Sequence, residues 1–176
     1  MKILIVAGMP GAGKEEFLSV AESMNIPFAR MGDVVREAYS CLPESERGMG
    51  IGQFADSERK KFGKNIWARR IAEKMDGGLF LIDGCRSMDE VRAFREMSDD
   101  VLIIGIHSPP DVRYLRLVKR GRADAPKNIA EFNERDAREI SWGLAEVLVL
   151  SDLTLVNNSA LDSFRSLSGN ILEGLR

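Results

Sequence analysis

Residues 3 to 15 read Ile3-Leu-Ile-Val-Ala7-Gly8-Met-Pro-Gly11-Ala-Gly13-Lys14-Glu15, and this stretch decides the fold. Ile3 to Ala7 is a continuous apolar run that stops at a glycine, the pattern of a strand buried on both faces. Gly8 to Lys14 fits G-x-x-x-x-G-K. Glycines in that order let the backbone turn so that successive N–H groups converge on phosphate oxygens. From Lys14 to Met24, the apolar residues Phe17, Leu18, Ala21 and Met24 recur at helical spacing. That helix would present the positive end of its dipole to the same phosphates, and Lys14 would add a mobile charge for the outer ones. Gly8, Met9, Pro10, Gly11, Ala12, Gly13 and Lys14 are therefore the candidate nucleotide-binding residues, with Glu15 beside them.

Glu15 departs from the pattern. A Ser or Thr usually follows the lysine, and its hydroxyl contacts Mg²⁺. The Glu15 carboxylate could replace that contact, since Mg²⁺ prefers hard oxygens. It could equally serve as an ordinary acid in the first turn of a helix. A negative charge beside a triphosphate repels nucleotide unless a metal intervenes.

Working outward, helices and strands alternate. Pro27 to Arg30 suits a short strand, Asp33 to Tyr39 a helix, and Gly48 to Gly52 a break. Gln53 to Met75 reads as one or two helices interrupted at Gly63. Leu79 to Ile82 is a second apolar strand, ending at Asp83-Gly84. Asp89 to Met97 is helical, Val101 to Ile106 is a strand, and Asp111 to Arg120 is a helix after Pro109-Pro110. Lys127 to Val149 reads as largely helical, Leu153 to Val156 as a strand, and Leu161 to Leu175 as a closing helix. This alternation predicts an α/β fold of three layers, with a parallel sheet and helices on both faces. Ligands of such sheets bind beyond the carboxyl ends of the strands, where Gly8, Asp83 and His107 fall.

The chain has 176 residues, 44% apolar and 30% charged, which suits one globular domain. A net charge of −2 and only 7% aromatic residues argue against nucleic acid as a partner. Arginine outnumbers lysine 17 to 8, and its planar fork suits phosphate. The two cysteines, Cys41 and Cys85, have no paired spacing and point to reduced thiols in the cytoplasm. No apolar run reaches membrane-span length, and one histidine without a cysteine cluster makes a dedicated metal site unexpected. Trp67 and Trp142 sit in helical patterns and read as core.

Other segments have readings of their own. Asp33 suits the start of a helix, and Arg36 lies three residues on, as a phosphate ligand or a surface ion pair. Asp83 ends an apolar strand, where it could hold a Mg²⁺-bound water or simply form a turn with Gly84. Arg86 could bridge two phosphate groups. Arg120 and Arg122 lie at a helix end and turn, where mobile arginines can stabilise the charge of a transferring phosphoryl group. Arg135 and Arg138 could reach inward, with Glu134, Asp136 and Glu139 as competing surface partners.

Taken together, these segments resemble the P-loop nucleoside and nucleotide kinase group. More closely, they resemble archaeal proteins related to dephospho-CoA kinase or to adenylate and cytidylate kinases. Gly32-Asp33-Val-Val-Arg36 is similar to the acceptor-phosphate segment of adenylate-kinase-like enzymes. Asp83-Gly84-Cys85-Arg86 looks like their Asp-Gly-x-Pro-Arg segment without the proline. Arg116, Arg120 and Arg122 fall where those families carry an arginine-rich lid, and Ser151-Asp152 to Asn157 is similar to a late strand of theirs.

The resemblance implies ATP and Mg²⁺ as cofactors, a small phosphorylated or hydroxylated acceptor, and in-line transfer of the γ-phosphoryl group. Lys14, Asp83, Arg86, Arg120 and Arg122 would be catalytic. Asp33, Arg36 and Arg86 would hold the acceptor, and Glu15 and Asp83 the Mg²⁺. The expected organisation is one domain over 1–176, with an acceptor-side insertion at about 31–75 and a lid at about 119–140. The competing reading is a nucleotide-binding regulatory module or weak NTPase with no acceptor, and Glu15 favours it.

Overall fold

Each residue of an interior strand shows its side chain to the opposite face from its neighbour. Strand β1 (Lys2–Gly8) is buried along almost its whole length, so both faces need cover. The computed structural model describes residues 1–75, 77–122 and 125–176 and supplies that cover. Ile3, Ile5 and Ala7 pack on one side with Trp67, Ile71, Val91 and Phe94. Leu4 and Val6 pack on the other with Phe17, Leu18, Phe164 and Leu172. The two apolar clusters, one on each face of the sheet, make the expected three layers.

The remaining strands are β2 (Phe28–Arg30), β3 (Leu79–Asp83), β4 (Asp100–His107) and β5 (Leu153–Val156). Among the described residues they form one sheet in the order β2-β3-β1-β4-β5, and every pairing is parallel. The first four helices are α1 (Lys14–Ser23), α2 (Met31–Ser40), α3 (Ile51–Phe62) and α4 (Ile66–Ala72). Then come α5 (Met88–Met97), α6 (Pro110–Arg120), α7 (Ile129–Ser141), α8 (Leu144–Val149) and α9 (Leu161–Leu175). No described helix is long and apolar enough to cross a membrane.

Local chemistry explains several boundaries. Ser87 caps α5 by accepting from the Glu90 N–H at 3.3 Å, and Asn128 caps α7 by accepting from the Glu131 N–H at 2.9 Å. The expected interruption at Gly63 divides α3 from α4, at a φ of 101°. One long segment differs from expectation. Lys127 to Val149 is two helices broken at Gly143, whose φ is 105°. A Cβ there would lie 3.1 Å from the Arg86 carbonyl oxygen, so the break lets α8 approach the end of β3. The expected lid, 119–140, includes residues 123 and 124, which lie outside the described residues.

Candidate functional site

The loop from Gly8 to Lys14 joins the buried end of β1 to the start of α1. Gly11 and Gly13 adopt φ of 82° and 113°, in the left-handed region. The Asn157 side chain, just past β5, fills the space a Gly13 Cβ would need, and its Nδ2 donates to the Ala12 carbonyl at 2.8 Å. Lys14 folds back and donates from Nζ to the Gly8 carbonyl at 2.7 Å. Asn157 and Lys14 thus brace the loop from within the chain.

A cleft of about 810 Å³ opens over it. Gly8, Pro10, Gly11, Gly13, Lys14 and Glu15 line it, as do Arg36, Asp83, Arg86, Arg120 and Arg122. The structure therefore gathers most of the expected site residues, drawn from distant parts of the chain, around one cavity. Three lie off its walls. Met9 packs against the apolar cluster under the sheet, and Ala12 is buried. Asp33 is exposed and forms an ion pair with Arg36, its neighbour one turn on. His107 is exposed at the end of β4, and its carbonyl accepts from the Asn157 N–H at 2.7 Å.

Asp83 ends β3 directly across the sheet from Val6 and from Arg30. Its Oδ1 is buried with no hydrogen-bond partner among the described residues. Burial pushes its carboxyl above the ordinary range, Lys14 pulls it back, and Glu15 adds to the rise. A buried carboxylate oxygen without a hydrogen-bond partner, in the lining of this cleft, is suited to a hard cation. Mg²⁺ needs only one or two carboxylates, because phosphate and water complete its shell. No cluster of three metal-binding side chains is present among the described residues, and this arrangement does not require one.

Asp83→Asn is accordingly expected to stabilise the ligand-free protein at neutral pH by about 1 kcal/mol, or a few degrees of melting temperature. A carboxyl with a raised folded pKa keeps its proton to higher pH in the native state than in the unfolded chain. Stability contributed there falls as pH rises from the ordinary carboxylate range through the raised value. Thermal melts over that window should show the wild-type loss and not the variant's. A variant less stable than wild type at neutral pH contradicts this account.

Arg30 and Arg113 were not legible as site residues in the sequence, whereas Arg116 and Arg122 were. Arg30 sits at the end of β2, lines the cleft, and pairs through Nη2 with Glu15 Oε2 at 3.4 Å. Arg122 reaches Glu15 Oε1 from the opposite side at 3.6 Å. Arg113 is buried and donates to the Pro10 carbonyl of the loop at 3.2 Å, to the Ser108 carbonyl at 3.2 Å, and to both oxygens of Asp136. Arg116 donates to Ser108 Oγ at 2.8 Å and to Asn157 Oδ1 at 3.2 Å. Of the acids that could have occupied Arg135 and Arg138, Asp136 instead serves Arg113, and buried Glu139 pairs with Arg86 at 2.7 Å. Trp142 is a correction. It is only half-buried, with the guanidinium groups of Arg86, Arg138 and Arg59 at 4.9, 5.8 and 6.0 Å from its ring. Trp67 is fully buried in the core, as expected.

Residues 7–133 match the family described as AAA domain. The UPF0200 protein Ta0179 of Thermoplasma acidophilum is 41% identical over 165 residues, covering 93% of this chain and 91% of its own. The UPF0200 protein TV0279 of Thermoplasma volcanium is 42% identical over 173 residues, covering 97% and 96%. Among solved structures, shikimate kinase from Bacteroides thetaiotaomicron matches with a TM-score of 0.65 at 14% identity, covering 98% of each chain. Shikimate kinase from Acinetobacter baumannii, in complex with shikimate, matches with a TM-score of 0.58 at 13% identity, covering 99% of this chain and 93% of that one. At such low identity these likenesses speak to the fold alone, which is that of P-loop kinases. The loop, the sheet order and the full-length relatives together place the chain in the UPF0200 family of P-loop proteins, within the group described as AAA domain.

Proposed function

We propose that the protein is a small-molecule kinase that passes the γ-phosphoryl group of ATP to a small phosphorylated or hydroxylated acceptor. The observation that carries this reading is the distribution of guanidinium groups around one loop. Arg36 and Arg86 come from α2 and the segment after β3, which lies on one side of β1 in the sheet, while Arg116, Arg120 and Arg122 come from α6 and its end, which follow β4 on the other side, and all five line the cleft. A site that only holds nucleotide has use for one set; a phosphoryl transfer between two bound groups has use for both. The solved shikimate kinases of the same fold, one in complex with shikimate, favour a small acceptor.

In this reading the backbone from Gly8 to Gly13 cradles the phosphates, and Lys14 swings from Gly8 to the outer ones. An acceptor oxygen attacks the γ-phosphorus as its bond to the β–γ bridging oxygen breaks, leaving ADP. Asp83 and Glu15 would hold Mg²⁺, which neutralises charge developing on the phosphates. Arg86 would face the acceptor together with Arg36, which Asp33 would steady through their ion pair, and Arg120 and Arg122 would stabilise the transferring group. Cys85 lines the cleft, but burial pushes its thiol well above the ordinary range, so it stays protonated and is no nucleophile. The chain would act as one domain, with residues 31–75 covering the acceptor and 119–140 forming the lid. The two free cysteines suit a cytoplasmic setting.

A regulatory or weak NTPase reading is favoured by one observation, the carboxylate of Glu15 where a hydroxyl is usual. Bisubstrate analogues separate the two. Adenosine polyphosphates linked to a panel of nucleosides and to a coenzyme A precursor should include one that binds at least about 100-fold more tightly than ATP, since one molecule carries both substrates' contacts. Arg36→Ala should weaken that analogue by about tenfold or more and leave ATP nearly unchanged. If every analogue binds no better than ATP, and Arg36→Ala has no selective effect, the kinase reading gives way to the NTPase.

A further inference from the structure

Glu15 holds each carboxylate oxygen toward a different guanidinium. Oε2 faces Arg30, which ends β2, and Oε1 faces Arg122, which follows α6. These arginines approach from opposite sides of the cleft, and both line it. Glu15 stands in the first turn of α1, next to Lys14, where the outer phosphates of a nucleotide on the loop would lie. An anion of the protein thus occupies arginines that the triphosphate would use.

We infer that Glu15 is an internal competitor that holds Arg122 until a divalent cation takes the carboxylate, making nucleotide binding conditional on metal. The inference rests on reading Gly8 to Lys14 as the triphosphate site. Three observations support it. First, the Glu15 side chain is 46% exposed and that of Arg122 53%. Exposed pairs of this kind shift an equilibrium by about fivefold at most, so the contact exchanges readily. Second, the carboxylate does not leave when the pair breaks. It remains beside the phosphates, where like charges about 4 Å apart repel enough even in water to cost about fivefold in affinity. Third, the second carboxylate of the wall, Asp83, has an unpartnered buried oxygen. Metal-free ATP therefore meets two acids and a lid arginine already engaged. A cation between the acids and the phosphates reverses the sign of both interactions and frees Arg122 for the triphosphate. A serine or threonine hydroxyl at position 15 would carry no charge and could not work in this way.

The test is a double-mutant cycle read by titration calorimetry, with the β,γ-imido analogue of ATP so that turnover plays no part. Wild type, Glu15→Gln, Arg122→Ala and the double variant are each titrated with excess Mg²⁺ and again in EDTA. Both side chains are about half exposed, and thermal melts confirm that the variants are folded. Glu15→Gln is expected to raise metal-free affinity about 30-fold, the relieved repulsion and the released arginine each giving about fivefold. In the Arg122→Ala background the same change should give only about fivefold, because the repulsion is relieved but no lid arginine remains to be released. Unchanged metal-free affinity in Glu15→Gln overturns the inference. An equal gain in both backgrounds overturns it too, because Arg122 is then not what Glu15 holds. If wild type fails to bind the analogue even with Mg²⁺, the triphosphate reading itself fails, and the inference falls with it.

Discussion

Lys14→Ala is expected to weaken ATP binding by about 100-fold while leaving the fold intact. Lys14 is the cation of the loop itself, and its ammonium is held in reserve on the Gly8 carbonyl, 2.7 Å away. A charge-assisted contact to phosphate is worth about 1.5–3 kcal/mol, and tenfold in affinity corresponds to about 1.4 kcal/mol. The ligand-free protein loses one partly exposed hydrogen bond, so its melting temperature should shift by no more than about two degrees. Calorimetric titration with Mg²⁺ and ATP, with a thermal melt of the same sample, checks both statements. Unchanged ATP affinity in a folded variant would remove the phosphate-loop reading.

Arg113→Ala should have the largest effect on stability. The guanidinium is 4% exposed and binds two carbonyls and a carboxylate, while Phe132 lies 4.9 Å beneath it. Removing it leaves Asp136, 16% exposed at its side chain, without its charge partner. Breaking a buried pair from one side costs about 3–5 kcal/mol, or about 10 °C in a chain of this length. The Pro10 carbonyl also loses its donor, so ATP affinity should fall even where the variant remains folded. Replacing both members, as Arg113→Met with Asp136→Leu, should recover most of the stability without restoring the tie between loop and α7. Urea unfolding of the single and double variants decides this. A single-variant loss under about 1 kcal/mol would mean that solvent screens the pair.

The phosphate loop, the strands and most helices were readable because their signals are local. A buried strand repeats over two residues, a helix over about four, and the loop needs its glycines at fixed offsets within seven positions. Asp83 was readable for the same reason, as the acid that ends an apolar run. Glu15 announced itself as a departure from the pattern. Local signals also set limits. The Lys127 to Val149 pattern stays helical on both sides of Gly143, and only packing against the Arg86 carbonyl requires the break there. Trp142 has a helical neighbourhood like that of Trp67, yet it faces guanidinium groups instead of the core.

Apart from local helix pairs such as Asp33 with Arg36, which charge meets which was decided by the tertiary structure. Arg113 finds Asp136 across 23 residues, Arg86 finds Glu139 across 53, and Glu15 finds Arg30 across 15. Asp136 and Glu139 both have arginines nearer in sequence, Arg135 and Arg138. Asp136 lies between Glu134-Arg135 and Arg138, where surface pairing was the natural expectation. The choice follows from the sheet order, which sets the end of β2 beside Asp83 and Asp83 beside the loop, and from the approach of α6 to α7. The sequence thus determines that a phosphate cradle forms and which kinds of side chain surround it. Partner choice among 17 arginines and 27 acids depends on distances of a few ångströms, which no local periodicity encodes.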